Sequence, residues 1–188
     1  MDVPVLVVVV VVVVIVAAAA VWYMQRQQRT KQLRQQFGPE YGRAVEQLGE
    51  PGRAESALRA REERVRQLHI RPLTPDAAER FAGSWRSVQA RFVDDPQGAI
   101  GDADRLVAEV MAARGYPMGD FEQRAADVSV DHADVVEHYR AAHAIASRQD
   151  GQSGNTEELR QAMVHYRALF HDLLETDPAQ QTTEVRRG

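Results

Sequence analysis

"TPDAAERFAGSWRSVQARFVDDP", Thr74 to Pro96, decides the fold class. Ala78, Phe81, Trp85, Val88 and Phe92 follow one another at steps of three, four, three and four. That is one face of an α-helix, not the period of two that a half-buried strand shows. The stretch also carries its own punctuation. Thr74 is a good N-cap, and Pro75 suits the first helical position, where no amide hydrogen is needed. "VDDP" closes the segment, and Asp95-Pro96 repeats the start signal.

The same pattern continues toward the C-terminus. Leu106, Val107, Val110 and Met111 form a face ended by "RGYP", with Gly115 placed to be a C′ residue. Asp120 with Gln123 makes a capping-box pattern before a short helix through Phe121, Ala125 and Val128. Asp131 is then expected to cap a helix carrying Val135, Tyr139, Ala142 and Ile145 or Ala146. After the loop "SRQDGQSGN", Asn155 with Glu158 starts a last helix through Leu159, Met163, Tyr166, Phe170 and Leu173. Asp177-Pro178 should end it, leaving a disordered tail over 177–188. No strand alternation of useful length occurs, so the chain is predicted to be all-α. Short connections favour antiparallel neighbours, giving an antiparallel bundle of about five helices over 73–176.

Toward the N-terminus the apolar faces thin out. Gly38-Pro39-Glu40 should break one helix and start another, from Pro39 to about Leu48, with Tyr41, Val45 and Leu48 on one side. "GEPG" at 49–52 breaks the chain again. In the following "RAESALRAREERVRQLHI" only Leu58, Val65 and Leu68 make a stripe, against a face dense in Arg and Glu. Residues 25–72 are therefore expected to form a helical stalk or short coiled coil whose stripe is one candidate surface for pairing with a second copy.

Before the stalk lies "VPVLVVVVVVVVIVAAAAVWYM", Val3 to Met24, 22 residues without a charge. As a helix it would reach about 33 Å, enough for a hydrocarbon core of about 30 Å. Valine favours strands in water, but a lone segment in lipid must satisfy its own backbone and so be helical. Trp22 and Tyr23 stand where amphipathic rings sit at headgroup level, and Arg26, Arg29, Lys31 and Arg34 follow as a basic cluster of the kind retained in the cytoplasm. A secretory signal is the alternative, with Ala17–Ala20 as cleavage site, but the only charge ahead of the core is Asp2, and it is negative. Residues 1–24 are expected to be an uncleaved single-pass anchor in the cell membrane, N-terminus outside and the rest cytoplasmic; export is the alternative.

Charge and composition exclude several classes. Twenty-three bases against 27 acids give a net of −4, which argues against a nucleic-acid binder. There is no cysteine, hence no disulfide, thiolate metal site or thiol nucleophile. The charges are split: 11 bases and six acids over residues 25–71, 12 bases and 20 acids over 72–188. A basic stalk would be drawn to an anionic leaflet, whereas stalk bases paired with bundle acids would leave nothing for lipid.

No catalytic signature is present: no P-loop, no G-x-G-x-x-G, no H-E-x-x-H and no G-x-S-x-G, the "GQSG" at 151–154 being one residue short of the last. The densest polar cluster is "DHADVVEHYRAAH". If helical from Asp131, it would set Asp131, Asp134 and His138 on one face, two carboxylates and an imidazole able to ligate a divalent metal. His138 and His143, five apart, and His165 and His171, six apart, have poor ligand spacing within one helix. Trp85, Phe81, Phe92, Tyr139 and Tyr166 are read as core. No cofactor is expected.

Five strings, "QFGPEY", "LHIRPL", "ARFVDDP", "RGYPMGDFEQRAADVSVDH" and "LRQAMVHYRALF", together resemble an uncharacterised bacterial family of single-pass membrane proteins with a helical soluble domain. The resemblance runs from about Phe37 to Phe170. It implies an anchored all-α protein and carries no activity, cofactor or site residue. The sequence thus favours a non-enzymatic, membrane-anchored interaction module with a protein partner, over a ligand- or metal-binding bundle using Asp131, Asp134 and His138.

Overall fold

Four prolines open four helices. Pro39, Pro51, Pro75 and Pro96 are each the first residue of a helix, where a missing N–H leaves no backbone bond unmade. The computed structural model describes residues 3–149 and 155–175. Within them lie α1 (Val3–Phe37), α2 (Pro39–Leu48), α3 (Pro51–Arg66), α4 (Pro75–Arg91), α5 (Pro96–Arg114), α6 (Phe121–Asp131), α7 (Ala133–Gln149) and α8 (Thr156–Glu175), and no strand. The protein is all-α. The expected loop around "GQSG", the stop at Asp177-Pro178 and the tail 177–188 lie outside the described residues.

Four of the predicted N-caps form. Thr74, Asp95 and Asp120 accept, through their side chains, the amides of Ala77, Gly98 and Gln123. Asn155 accepts that of Glu157. Gly115 ends α5 at φ +100°, a conformation that L side chains rarely adopt. A Cβ there would also stand 2.7 Å from the carbonyl oxygen of His69.

Cross-helix contacts fix the directions. Asp104 meets Tyr166, and Arg114 meets the Leu173 carbonyl, so α5 and α8 run parallel. His138 meets His165 and His132 meets Asp172, so α7 and α8 run antiparallel. Phe121 stacks near His143 and Arg124 reaches Tyr139, which sets α6 antiparallel to α7. The main core fills the space between them with Val107, Val110, Met111, Val128, Tyr139, Leu169 and their neighbours. Each such side chain contributes about 1.5–3 kcal/mol through burial. Helix α4 lies outermost. Only its Trp85 is buried, stacked on Phe170 at 4.6 Å between ring centroids, while Phe81, Val88 and Phe92 are half-covered.

Two expectations are corrected. Leu58 is wholly buried and Val65 only 5% exposed, both within this chain. The stripe expected to pair with a second copy is covered instead by the protein's own helices, since Leu58 joins Leu33, Phe37, Tyr41, Ala44 and Ala54 in a second core. Helices α2 and α3 are thus packed on the bundle, with Arg64 of α3 bonded to Asp127 of α6. The break at "GEPG" is also narrower than expected, because Pro51 and Gly52 already belong to α3.

Helix α1 runs without interruption from its apolar half into that second core. Every residue from Val11 to Arg29 is exposed, while Leu33 and Phe37 are buried. Thr30 donates to Glu55 of α3 at 2.8 Å, the first tie between α1 and the rest. Among the described residues α1 is the one helix long and apolar enough to cross a membrane.

Candidate functional site

Three features carry chemistry: a basic collar on α1, a buried carboxylate that joins three helices, and a cleft with two histidines. The collar comes from helical periodicity. Tyr23, Arg26, Gln27, Thr30, Lys31 and Arg34 line one strip of α1. Arg26 lies over the Trp22 ring, 5.6 Å from its centroid, and Arg34 lies over Tyr41 at 5.0 Å. These are cation–π distances. Arg26, Arg29, Lys31 and Arg34 are exposed, and none of them pairs with an acid among the described residues.

Bases farther along behave differently. Arg61 and Arg64 of α3 pair with Glu40 and Asp127, and Arg140 of α7 pairs with Glu40 and Glu122. The two alternatives weighed for the stalk charges therefore apply to different residues. Those on α3 are spent on acids inside the protein, whereas those on α1 are not.

Glu40 is the hinge of this network. It is 3% exposed, although it sits in the first turn of α2, where an acid normally faces water. Its Oε1 accepts from Arg140 Nε at 2.8 Å; its Oε2 accepts from Arg140 Nη2 at 3.2 Å and from Arg61 Nη1 at 3.3 Å. Arg61 also donates to Ser129 of α6 at 2.9 Å. Burial lowers the Arg61 pKa, and the Glu40 carboxylate only partly offsets it. For Arg140 burial also opposes the charge, but the hydrogen bonds to Glu40 and Glu122 outweigh it and hold the pKa above the ordinary value. Sequence reasoning took Glu40 for a helix-start acid, and no local signal distinguishes the two roles.

Beside this network, between α2 and the α7–α8 pair, lies an open cleft of about 710 Å³. Arg43 and Glu46 of α2 face Glu137 and His138 of α7 and His165 of α8 across it. The Nδ1 atoms of His138 and His165 are 2.8 Å apart. Burial first, and then its neighbour His138, holds His165 below the ordinary histidine value. The sequence holds both histidines but not their meeting, because spacing within one helix carries no information on a pair borne by two helices.

The candidate metal set does not assemble. Asp131 ends α6 rather than capping α7, which begins at Ala133, so the continuous helix that would align Asp131, Asp134 and His138 is absent. Asp131 accepts a hydrogen bond from Tyr116 at 3.1 Å, and His138 turns to His165. Among the described residues no group of three or more His, Asp or Glu side chains is placed to hold a metal ion. A further polar group is structural in placement: His132, buried at the α6–α7 junction, bonds Asp172 through Nδ1, and its Nε2 is buried without a hydrogen-bond partner. The aromatics read as core are so for Trp85, Tyr139 and Tyr166, and burial is the main cause that pushes both tyrosine pKa values up.

Comparison with protein-family models, with curated proteins and with solved structures finds no match.

Proposed function

We propose that this chain is a membrane-tethered helical module that holds its folded part against one leaflet and presents it to a protein partner. The observation that carries the reading is the continuity of α1 from an exposed apolar half into a polar half whose Leu33 and Phe37 are buried in the second core. If the hydrocarbon edge lies near Met24, Leu33 stands about 14 Å beyond it and Phe37 about 20 Å. The folded part then begins within one or two helical turns of the headgroups. The interval between is filled by the collar, Arg26 to Arg34, whose charges have no acid partner among the described residues. Trp22 and Tyr23 fall at the expected interface, and the collar favours the cytoplasmic side by the positive-inside rule. Absence of a catalytic signature in the sequence favours interaction over catalysis, and the family that the five strings resemble has the same anchored plan.

The test is topological and then biochemical. A reporter fused after Gly188 should be active only in its cytoplasmic form, and the anchor should persist in the mature chain. Activity only outside the cell, or a mature chain beginning near Val21, overturns the tethering. Crosslinking in intact cells followed by detergent extraction should return one specific protein partner. A chain recovered alone and monomeric overturns the interaction role.

A further inference from the structure

We propose that the α2–α3 turn, Leu48 to Pro51, makes a second contact with the lipid surface, in the headgroup layer beside the collar of α1. The inference rests on the tethering reading and adds the face that the folded part turns to the bilayer. Helix register carries it. Helices α1 and α3 run side by side in one direction: Thr30 donates to Glu55 at 2.8 Å, and farther on Leu33 and Gln36 share a groove with Arg59 and Glu62. Helix α2 returns along them. The ring of its Tyr41 lies 5.0 Å from the Arg34 guanidinium, and the Tyr41 hydroxyl donates to the same Glu55 at 3.3 Å. The turn from α2 into α3 therefore points back toward the apolar half of α1.

The rise of a helix gives the level. Pro51, one turn before Glu55, lies about 6 Å nearer the hydrocarbon than Thr30, level with Arg26. Leu48, two turns after Tyr41, lies about 10 Å nearer than Arg34, level with Gln27. With the hydrocarbon edge near Met24, the turn stands about 3–5 Å outside it, within a polar layer about 5–7 Å deep. The surface there suits an interface. Leu48 is 40% exposed, and the residues from Gly49 to Arg53 are all exposed. Glu50 pairs with Arg53 at 3.5 Å, which leaves no net charge from those two on the tip, and Glu46 faces the cleft. The turn is also firmly shaped. Gly49 takes φ +74°, its amide closes on the Val45 carbonyl at 2.8 Å, and Pro51 starts α3 at once. An apolar side chain on so short a turn enters the boundary between headgroups and acyl chains without the entropy loss of ordering a loop.

The chain has no cysteine, so one introduced cysteine carries one spin label. Full-length Leu48→Cys, Ile15→Cys and Val93→Cys are labelled and reconstituted in vesicles of phosphatidylcholine and phosphatidylglycerol. Collisions with oxygen, which concentrates in lipid, are compared with collisions with a water-soluble nickel chelate. Ile15 lies about 14 Å inside the edge and should read the bilayer centre. Val93, 81% exposed, sits just before α5, at the end of the bundle opposite the turn, because α6 runs against α3, α7 against α6, α8 against α7, and α5 with α8. It should read water. Leu48 should read headgroup depth, with chelate collisions about threefold or more below those at Val93. If Leu48→Cys fails to fold, Gly52→Cys, whose Cβ meets nothing within 4 Å, takes its place. A turn label as open to the chelate as Val93, with Ile15 deep, overturns the contact and leaves the tethering intact. Ile15 in water overturns the tethering and the contact with it.

Discussion

Arg140 Nε donates to Glu40 Oε1 at 2.8 Å across one hundred residues of chain, and this bond fastens the segment that follows the long apolar helix to the middle of the bundle. Glu40 serves two guanidiniums at once, those of Arg140 on α7 and Arg61 on α3. Glu40→Ala leaves both cations in a poorly hydrated place. Destabilisation of about 3–5 kcal/mol is expected, measured by denaturant unfolding in detergent. Replacing Glu40, Arg61 and Arg140 together by Met should lose much less than the single change, because no buried unpaired charge remains and Glu122, which loses Arg140, is exposed to water.

Gly115→Ala tests the exit of α5. The residue lies at φ +100°, and the new Cβ would press on the His69 carbonyl at 2.7 Å. Backbone strain of about 1–3 kcal/mol is expected as a lower melting temperature, with helical content unchanged. The neighbouring bond from the Arg71 amide to the Arg114 carbonyl should exchange its hydrogen faster in the variant.

Asp95 gives a pH dependence of known sign. The Gly98 amide first, and then the Arg91 guanidinium, hold its carboxyl below the ordinary 3.8. The unfolded chain therefore takes up the proton before the folded one as pH falls. The stabilisation is complete above 3.8 and is lost as pH drops through the lower folded value. Asp95→Asn keeps a capping acceptor but removes the charge. Its melting temperature should fall below that of the parent near pH 6, and the gap should narrow and close as the pH falls through the folded carboxyl's lowered value.

Arg26, Arg29 and Lys31 should be neutral toward folding. Changing all three to Gln removes no ion pair, so stability should move by no more than about 0.5 kcal/mol. Binding of the protein's collar to anionic vesicles should nonetheless weaken, by about 1 kcal/mol for each base near the surface, and the weakening should vanish in high salt. A large loss of stability would place these side chains in the fold rather than at the lipid.

Local signals carried most of the helix plan. The caps at Thr74, Asp95, Asp120 and Asn155 and the prolines that open helices act within four residues, so their chemistry is complete in the sequence around them. Asp131 shows where that logic fails. It satisfies the pattern of a cap, yet α6 continues through it because its neighbours Val128 and Ser129 are buried against other helices. The thin stripe of α3 fails for a related reason. Leu58 needs only one covered face, and Phe37 and Tyr41 from earlier helices supply the cover. His138 and His165 stand 27 residues apart, and only the α7–α8 register brings them together.

An uninterrupted α1 works as a spindle. With Leu33 and Phe37 locked in the second core, the folded part cannot swivel freely on the apolar half of α1. Under the proposed anchoring, any lean that a thinner or thicker bilayer imposes on the apolar half of α1 is handed on as the same angle to everything from α2 to α8. Two copies meeting in the plane of the membrane would then do so along bearings set by the helix shaft, not by a slack tether.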